Sequence, residues 1–183
     1  MQLLYKLKVL ILLILISSIS FATNALVIID VQNYFVTEHT KELPHKIRKL
    51  IENNDFDYIV FSKYVNDLKS NHYKLLKWDE CQNSPDIDIH IELLEFSNSE
   101  NVFEKNTYSI FKSKMLDFFK AKNISKIYLV GIDIDACVLA SAFEGFDLGY
   151  DIEILQDYSL SDGGKELNEA AIRIINRNIQ IKK

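Results

Sequence analysis

The sequence predicts an α/β protein with three layers, a doubly wound, mostly parallel six-stranded sheet between helices. Two observations carry this. Short, continuous apolar runs, the form taken by strands covered on both faces, alternate along the chain with stretches whose apolar residues return at helical spacing. Such alternation is the pattern of parallel strands joined by crossover helices. A length of 183 residues with 48% hydrophobic content is enough for one domain around one substantial core.

The elements follow in order. A first strand is read over residues 25–30 (ALVIID) and a helix over 41–53, then a second strand over 58–62 (YIVFS). Residues 65–96 show no clean strand, contain Pro85, and are expected to form a lid-like excursion with one or two short helices. A third strand (101–105), a helix (111–122) and a fourth strand (126–131, KIYLVG) come next. In the helix over 136–148, Val138, Leu139, Ala142, Phe143, Phe146 and Leu148 form an apolar stripe, while Gly145 suits close packing and Gly149 termination. A fifth strand (151–156), a helix (165–176) and a sixth strand (179–182) complete the chain, with no repeat or low-complexity linker.

Residues 1–22 read separately. Lys6 and Lys8 precede an apolar run over 9–16 and then small residues up to Ala22, the pattern of a secretory signal peptide cleaved after Ala22. Export to a periplasmic or extracellular space is the expectation, with an uncleaved membrane anchor over 3–22 as the alternative. Loss of those two lysines leaves 19 basic against 26 acidic residues, a net charge of −7, which excludes a nucleic-acid surface. Two cysteines, Cys81 and Cys137, do not make a disulfide scaffold, although an oxidising compartment could pair them. A buried, free Cys81 is the plainer reading.

In a doubly wound sheet ligands sit outside the carboxyl ends of the strands. That rule selects Asp30 at the end of the first strand, Lys105 at the end of the third, and Cys137 in the turn after the fourth. An acid, a cation and a thiol on one edge make a nucleophilic site, and a thiol at a helix start is favoured as thiolate by the helix dipole. Singly each has a duller reading: Asp30 as a cap, Lys105 as a solvated charge, Cys137 as a small core residue.

Together, ALVIIDVQNYF (25–35), VFEKNTYSIF (102–111) and GIDIDACVLASAFEGFDLGYD (131–151) resemble the isochorismatase-like cysteine hydrolases, a superfamily of nicotinamidases, N-carbamoylsarcosine amidases and isochorismatases. The resemblance covers about residues 24–181. It implies a catalytic triad of Asp30, Lys105 and Cys137, an oxyanion hole from the backbone N–H groups of Asp133 and Cys137, and a cis peptide between Ile132 and Asp133. Asp135 is read as a cap or turn residue. The chain departs from nicotinamidases after the second strand, where Tyr64 and Asn66 stand in place of the first metal ligands and His72 is alone. His39, His45 and His90 are scattered and, like His72, read as surface or partly buried polar residues. The expectation is therefore no metal and no cofactor, as in a metal-free subgroup whose substrate pocket is lined by Gln32, Phe35, Tyr64 and Trp78. Trp78 could equally pack the core or the lid.

The implied activity is hydrolysis of a small carboxamide or related C–N bond through a Cys137 thioester. Three alternatives stand beside it: an isochorismatase-type enol ether hydrolase, a catalytically silent fold that binds a small molecule or partner, and a redox-controlled protein that pairs Cys137 with Cys81. The resemblance also implies a homodimer or homotetramer.

Overall fold

The computed structural model describes residues 23–180; the expected signal segment, residues 1–22, lies outside the described residues, as do 181–183. From Ala25 to Ile29, β1 (Thr23–Ile29) is fully buried, which only a strand covered on both faces can be. It shares its sheet with β2 (Tyr58–Tyr64), β3 (Val102–Lys105), β4 (Ile124–Ile132) and β5 (Asp151–Leu160). All pairings are parallel, in the spatial order β3-β2-β1-β4-β5.

Alternate residues of β1 serve opposite faces. Ala25, Val27 and Ile29 pack with Ile127 and Leu129 of β4 beneath α3 (Ser113–Ala121), α4 (Leu139–Asp147) and α5 (Lys165–Asn178). Leu26 and Ile28 pack with Phe61 and Ile132 against α1 (Leu43–Glu52) and a 3-10 turn at Ile91–Phe96. Helix α1 buries Leu43, Ile47, Leu50 and Ile51, one stripe at helical spacing, with Pro44 in its first turn, where no N–H is needed.

The excursion over residues 65–96 contains one short helix, α2 (Asn71–Leu76), and the 3-10 turn. Ser70 caps α2 by accepting the Tyr73 N–H at 3.0 Å. Asn66 ties the segment together: its Nδ2 donates to the carbonyls of Trp78 (2.9 Å) and Glu80 (3.0 Å), and its Oδ1 accepts from Ser70 Oγ.

Three sequence expectations are corrected. The described sheet has five strands, not six. The N–H groups of Ile179 and Gln180 both donate to Ile175 O, at 2.9 and 3.0 Å, so the chain closes α5 with a turn, and Ile179 packs on the core as the last apolar residue of that helix. Gln180 Oε1 then accepts the Ile154 N–H of β5 at 3.2 Å, satisfying an edge donor of that strand. Second, β5 runs to Leu160 through a register shift, with Leu129 opposite Ile154 but Gly131 opposite Ser159. Polar Gln156 therefore lies inside the strand and does not end it. Third, the chain does not enter α4 directly: Ile134–Val138 form one wide turn closed by Val138 N–H to Asp133 O at 3.0 Å.

Strands β2 and β3 lie on one side of β1, and β4 and β5 on the other, so the connections diverge between the carboxyl ends of β1 and β4 and open a crevice there. Gly131 makes this close approach possible. It has φ +125°, and a Cβ there would sit 2.1 Å from the Ile29 carbonyl oxygen, a backbone atom of the central strand. Gly149, with φ +86°, faces open space. Gly131→Ala is therefore expected to destabilise by more than about 3 kcal/mol, from strain plus overlap, and Gly149→Ala by about 1 kcal/mol, from the left-handed backbone alone. Urea unfolding of the two variants checks the ranking; equal losses would contradict it.

Candidate active site

Three strand ends and one turn meet at the crevice. Asp30 follows β1 with φ +52°, a left-handed conformation that aspartate tolerates better than most residues, and is fully buried. Its Oδ1 accepts from Ser62 Oγ of β2 at 2.7 Å, and its own N–H donates back to Ser62 Oγ at 3.2 Å. Its Oδ2 lies 2.6 Å from Lys105 Nζ, at the end of β3. That contact is an ion pair; apart from it, Oδ2 makes no directed hydrogen bond among the described residues.

The Lys105 ammonium is buried and donates to Thr107 O at 2.9 Å and to Cys137 Sγ at 3.4 Å, over the face of Tyr64. Burial works against its charge, but attraction to Asp30 and Cys137 outweighs it and holds the ammonium above its ordinary pKa. For Cys137, burial pushes the thiol up, Lys105 pulls it down, and the Asp30 carboxylate raises it again. The cysteine sits in the wide turn ahead of α4, where desolvation is the largest influence on its thiol. Ser141, from the next turn of helix, donates to Cys137 O at 2.6 Å and accepts the Ile110 N–H at 3.2 Å, fixing the cysteine to the loop that follows Lys105.

Cys137 lines a cavity of about 270 Å³. Its walls are the rings of Tyr34, Phe35, Tyr64, Trp78 and Tyr108 with His72, many edge to face, as His72 and Tyr108 are at 4.4 Å between centroids. A second cavity, about 420 Å³, reaches Ser62 and Lys105 from the β3 edge but does not include Cys137.

Of the four residues expected to line the pocket, Phe35, Tyr64 and Trp78 do. Gln32 does not. It is fully buried, and its amide is consumed by Tyr64 O, Ile87 O and Tyr64 N at 2.7–2.8 Å, tying β1, β2 and the excursion together. Sequence reading passed over Ser62, Tyr34, Tyr108 and Asp162, and placed His72 among ordinary polar residues. Had β5 been extended to Leu160, the strand-end rule that found Asp30 would have found Asp162 as well.

The Ile132–Asp133 peptide is cis. Asp133 Oδ1 accepts the Asp162 N–H at 2.7 Å. Burial, with Asp162, Asp135 and Asp30 nearby, pushes the Asp133 carboxyl up to about 7. A nicotinamidase-type metal does not fit the residues present: Asn66 has both amide hydrogens committed, and Tyr64 stands at the other position. Among the described residues no three His, Cys, Asp or Glu side chains cluster to hold a metal ion. Cys81 and Cys137 are both free, and burial pushes the Cys81 thiol up to about 12.

Comparison with known proteins gives the family. The Isochorismatase domain model matches residues 24–180, and the chain belongs to that family. Isochorismatase family protein 2A of Dictyostelium discoideum is 27% identical over 171 residues, 87% of this chain and 78% of that protein. Isochorismatase family protein 1A of the same organism is 32% identical over 72 residues, 38% of this chain; the match spans only about a third (35%) of that relative's length. Among solved structures, an isochorismatase-like hydrolase from Alkaliphilus metalliredigens superposes with TM-score 0.75 at 19% identity, covering 85% of this chain and 92% of that one. A nicotinamidase from Bacillus subtilis gives 0.73 at 24% (86% and 97% covered), and N-carbamoylsarcosine amidase from Thermoplasma acidophilum 0.72 at 19% (86% and 93%). At these identities the shared property is the fold.

A carboxyl raised by folding contributes stability that is complete below its unfolded pKa, about 4, and is lost as pH rises through about 7. Asp133→Asn keeps the acceptor for the Asp162 N–H. Its melting temperature relative to wild type is expected to improve between about pH 5 and pH 8. A difference that does not change with pH would contradict this.

Proposed function

We propose that the protein is a metal-independent cysteine amidohydrolase, which hydrolyses a small carboxamide through a thioester on Cys137. The observation that carries this reading is the contact of Lys105 Nζ with both Asp30 Oδ2 (2.6 Å) and Cys137 Sγ (3.4 Å) beside an aromatic cavity. Burying a carboxylate and an ammonium costs several kcal/mol per ion, which a fold that only binds a partner has no reason to meet here.

The steps follow from proton positions. Asp30 takes the proton of the Cys137 thiol as sulfur attacks the carbonyl carbon, and Lys105 holds the developing negative charge on sulfur. The tetrahedral oxyanion is received by the backbone N–H groups of Asp133 and Cys137. Asp30 returns the proton to the departing nitrogen, the C–N bond breaks, and the acyl group remains on sulfur. Asp30 next takes a proton from water, whose oxygen attacks the thioester; the C–S bond breaks, Asp30 gives the proton to sulfur, and the acid leaves with the thiol restored. In the same proposal, residues 1–22 direct export.

Ammonia release from a panel of small carboxamides tests the reading. Cys137→Ala and Asp30→Asn are expected to lower turnover at least about 10³-fold, with wild-type protein showing a mass increment on Cys137 that hydroxylamine removes. Full activity in either variant would sink the triad.

A further inference from the structure

Besides the nucleophile and the polar tips of its Tyr and Trp rings, the cavity beside Cys137 is lined by Asp133, Asp162 and His72, each able to accept a hydrogen bond. Asp133 and Asp162 lie on one part of its wall, joined by the Asp162 N–H to Asp133 Oδ1 bond and by a contact between the carboxyl groups. Asp135, whose buried Oδ1 has no partner among the described residues, adds its charge to theirs. The third acceptor is His72, only 9% exposed, whose ring bonds to the Asn106 backbone and leaves Nδ1 without a partner among the described residues. Burial and the nearby Lys105 charge hold this imidazole neutral, so the open nitrogen is a lone pair.

Among the described residues no Lys or Arg lines this cavity, and Lys105 beneath it is committed to Asp30, Cys137 and Thr107 O. The remaining walls are π-faces and ring edges, which attract a cation through the ring quadrupole. An orphaned buried acceptor, two carboxyl groups and aromatic walls are complementary to one kind of group, a protonated amine with N–H donors. An anionic group there would meet like charge with no compensating cation.

We infer that the substrate is a small carboxamide carrying an ammonium group, with Asp162 as the specificity-determining residue that receives it. This rests on the amidohydrolase reading for the scissile group, but the cation preference belongs to the cavity and is measured without turnover. Asp133 shares the charge, yet its backbone is placed at the oxyanion, so Asp162 is the residue to vary.

Calorimetric binding to Cys137→Ala separates the two. The probes are meta-(aminomethyl)benzamide, meta-(hydroxymethyl)benzamide and meta-carbamoylbenzoate, which share one amide and ring and differ in charge. The ammonium probe is expected to bind about tenfold tighter than the neutral one, with the carboxylate weakest. Asp162→Asn in the same background should erase the preference for the ammonium over the alcohol, and Asp162→Glu should retain most of it. The inference is overturned if the neutral or anionic amide binds as tightly as the cation, if no probe binds, or if the preference survives Asp162→Asn. Cation-selective binding without hydrolysis of any carboxamide by wild type would instead remove the amidohydrolase reading and leave the cation site standing.

Discussion

The buried ion pair between Asp30 and Lys105 is the interaction on which the rest of the site depends. Each charge alone would be intolerable at such low exposure, and losing either partner costs about 3–5 kcal/mol because the other is stranded. The pair also joins parts of the chain that are distant in sequence. Asp30 ends the central strand and Lys105 ends the edge strand, with Ser62 of the strand between them bonded to the Asp30 carboxylate. Strand order thus converts three sequence positions into one row of contacts. The thiol joins as a third member through the turn after β4, on the other side of β1.

Packing keeps this row in register. Gly131 lets β4 end against β1, and Ser141 anchors the Cys137 backbone to the loop after Lys105. Gln32, with its amide consumed by backbone groups, and Asn66, bonded to two backbone carbonyls and the Ser70 hydroxyl, hold the excursion over the crevice so that Trp78 and His72 become walls. These polar residues are structural for the same reason that makes them conspicuous: a buried amide must find every partner it can.

Much of the fold was legible because fully buried strands and amphipathic helices leave different apolar periods, and Asp30, Lys105 and Cys137 were legible because each falls at a strand's carboxyl end. Failures came where tertiary contacts override local pattern. Ile179 is apolar because it caps the packing of α5, not because a strand begins there. Gln156 is polar inside β5 because its side chain meets Asn176 of α5, so the strand end and Asp162 beyond it were missed. Gln32 showed that a polar residue two places from Asp30 can be wholly spent on backbone. The upward push on the Cys137 thiol was not legible either, since it depends on the balance between desolvation and two opposite charges fixed only in three dimensions.

That balance offers the most direct measurement, the pH dependence of Cys137 alkylation in wild type, Asp30→Asn and Lys105→Met, followed by peptide mass spectrometry. Asp30 raises the thiol pKa and Lys105 lowers it, so the midpoint should fall in Asp30→Asn, where an unopposed ammonium faces the sulfur, and rise in Lys105→Met. Midpoints that coincide in all three proteins would show that the acid, the cation and the thiol do not form one charge network.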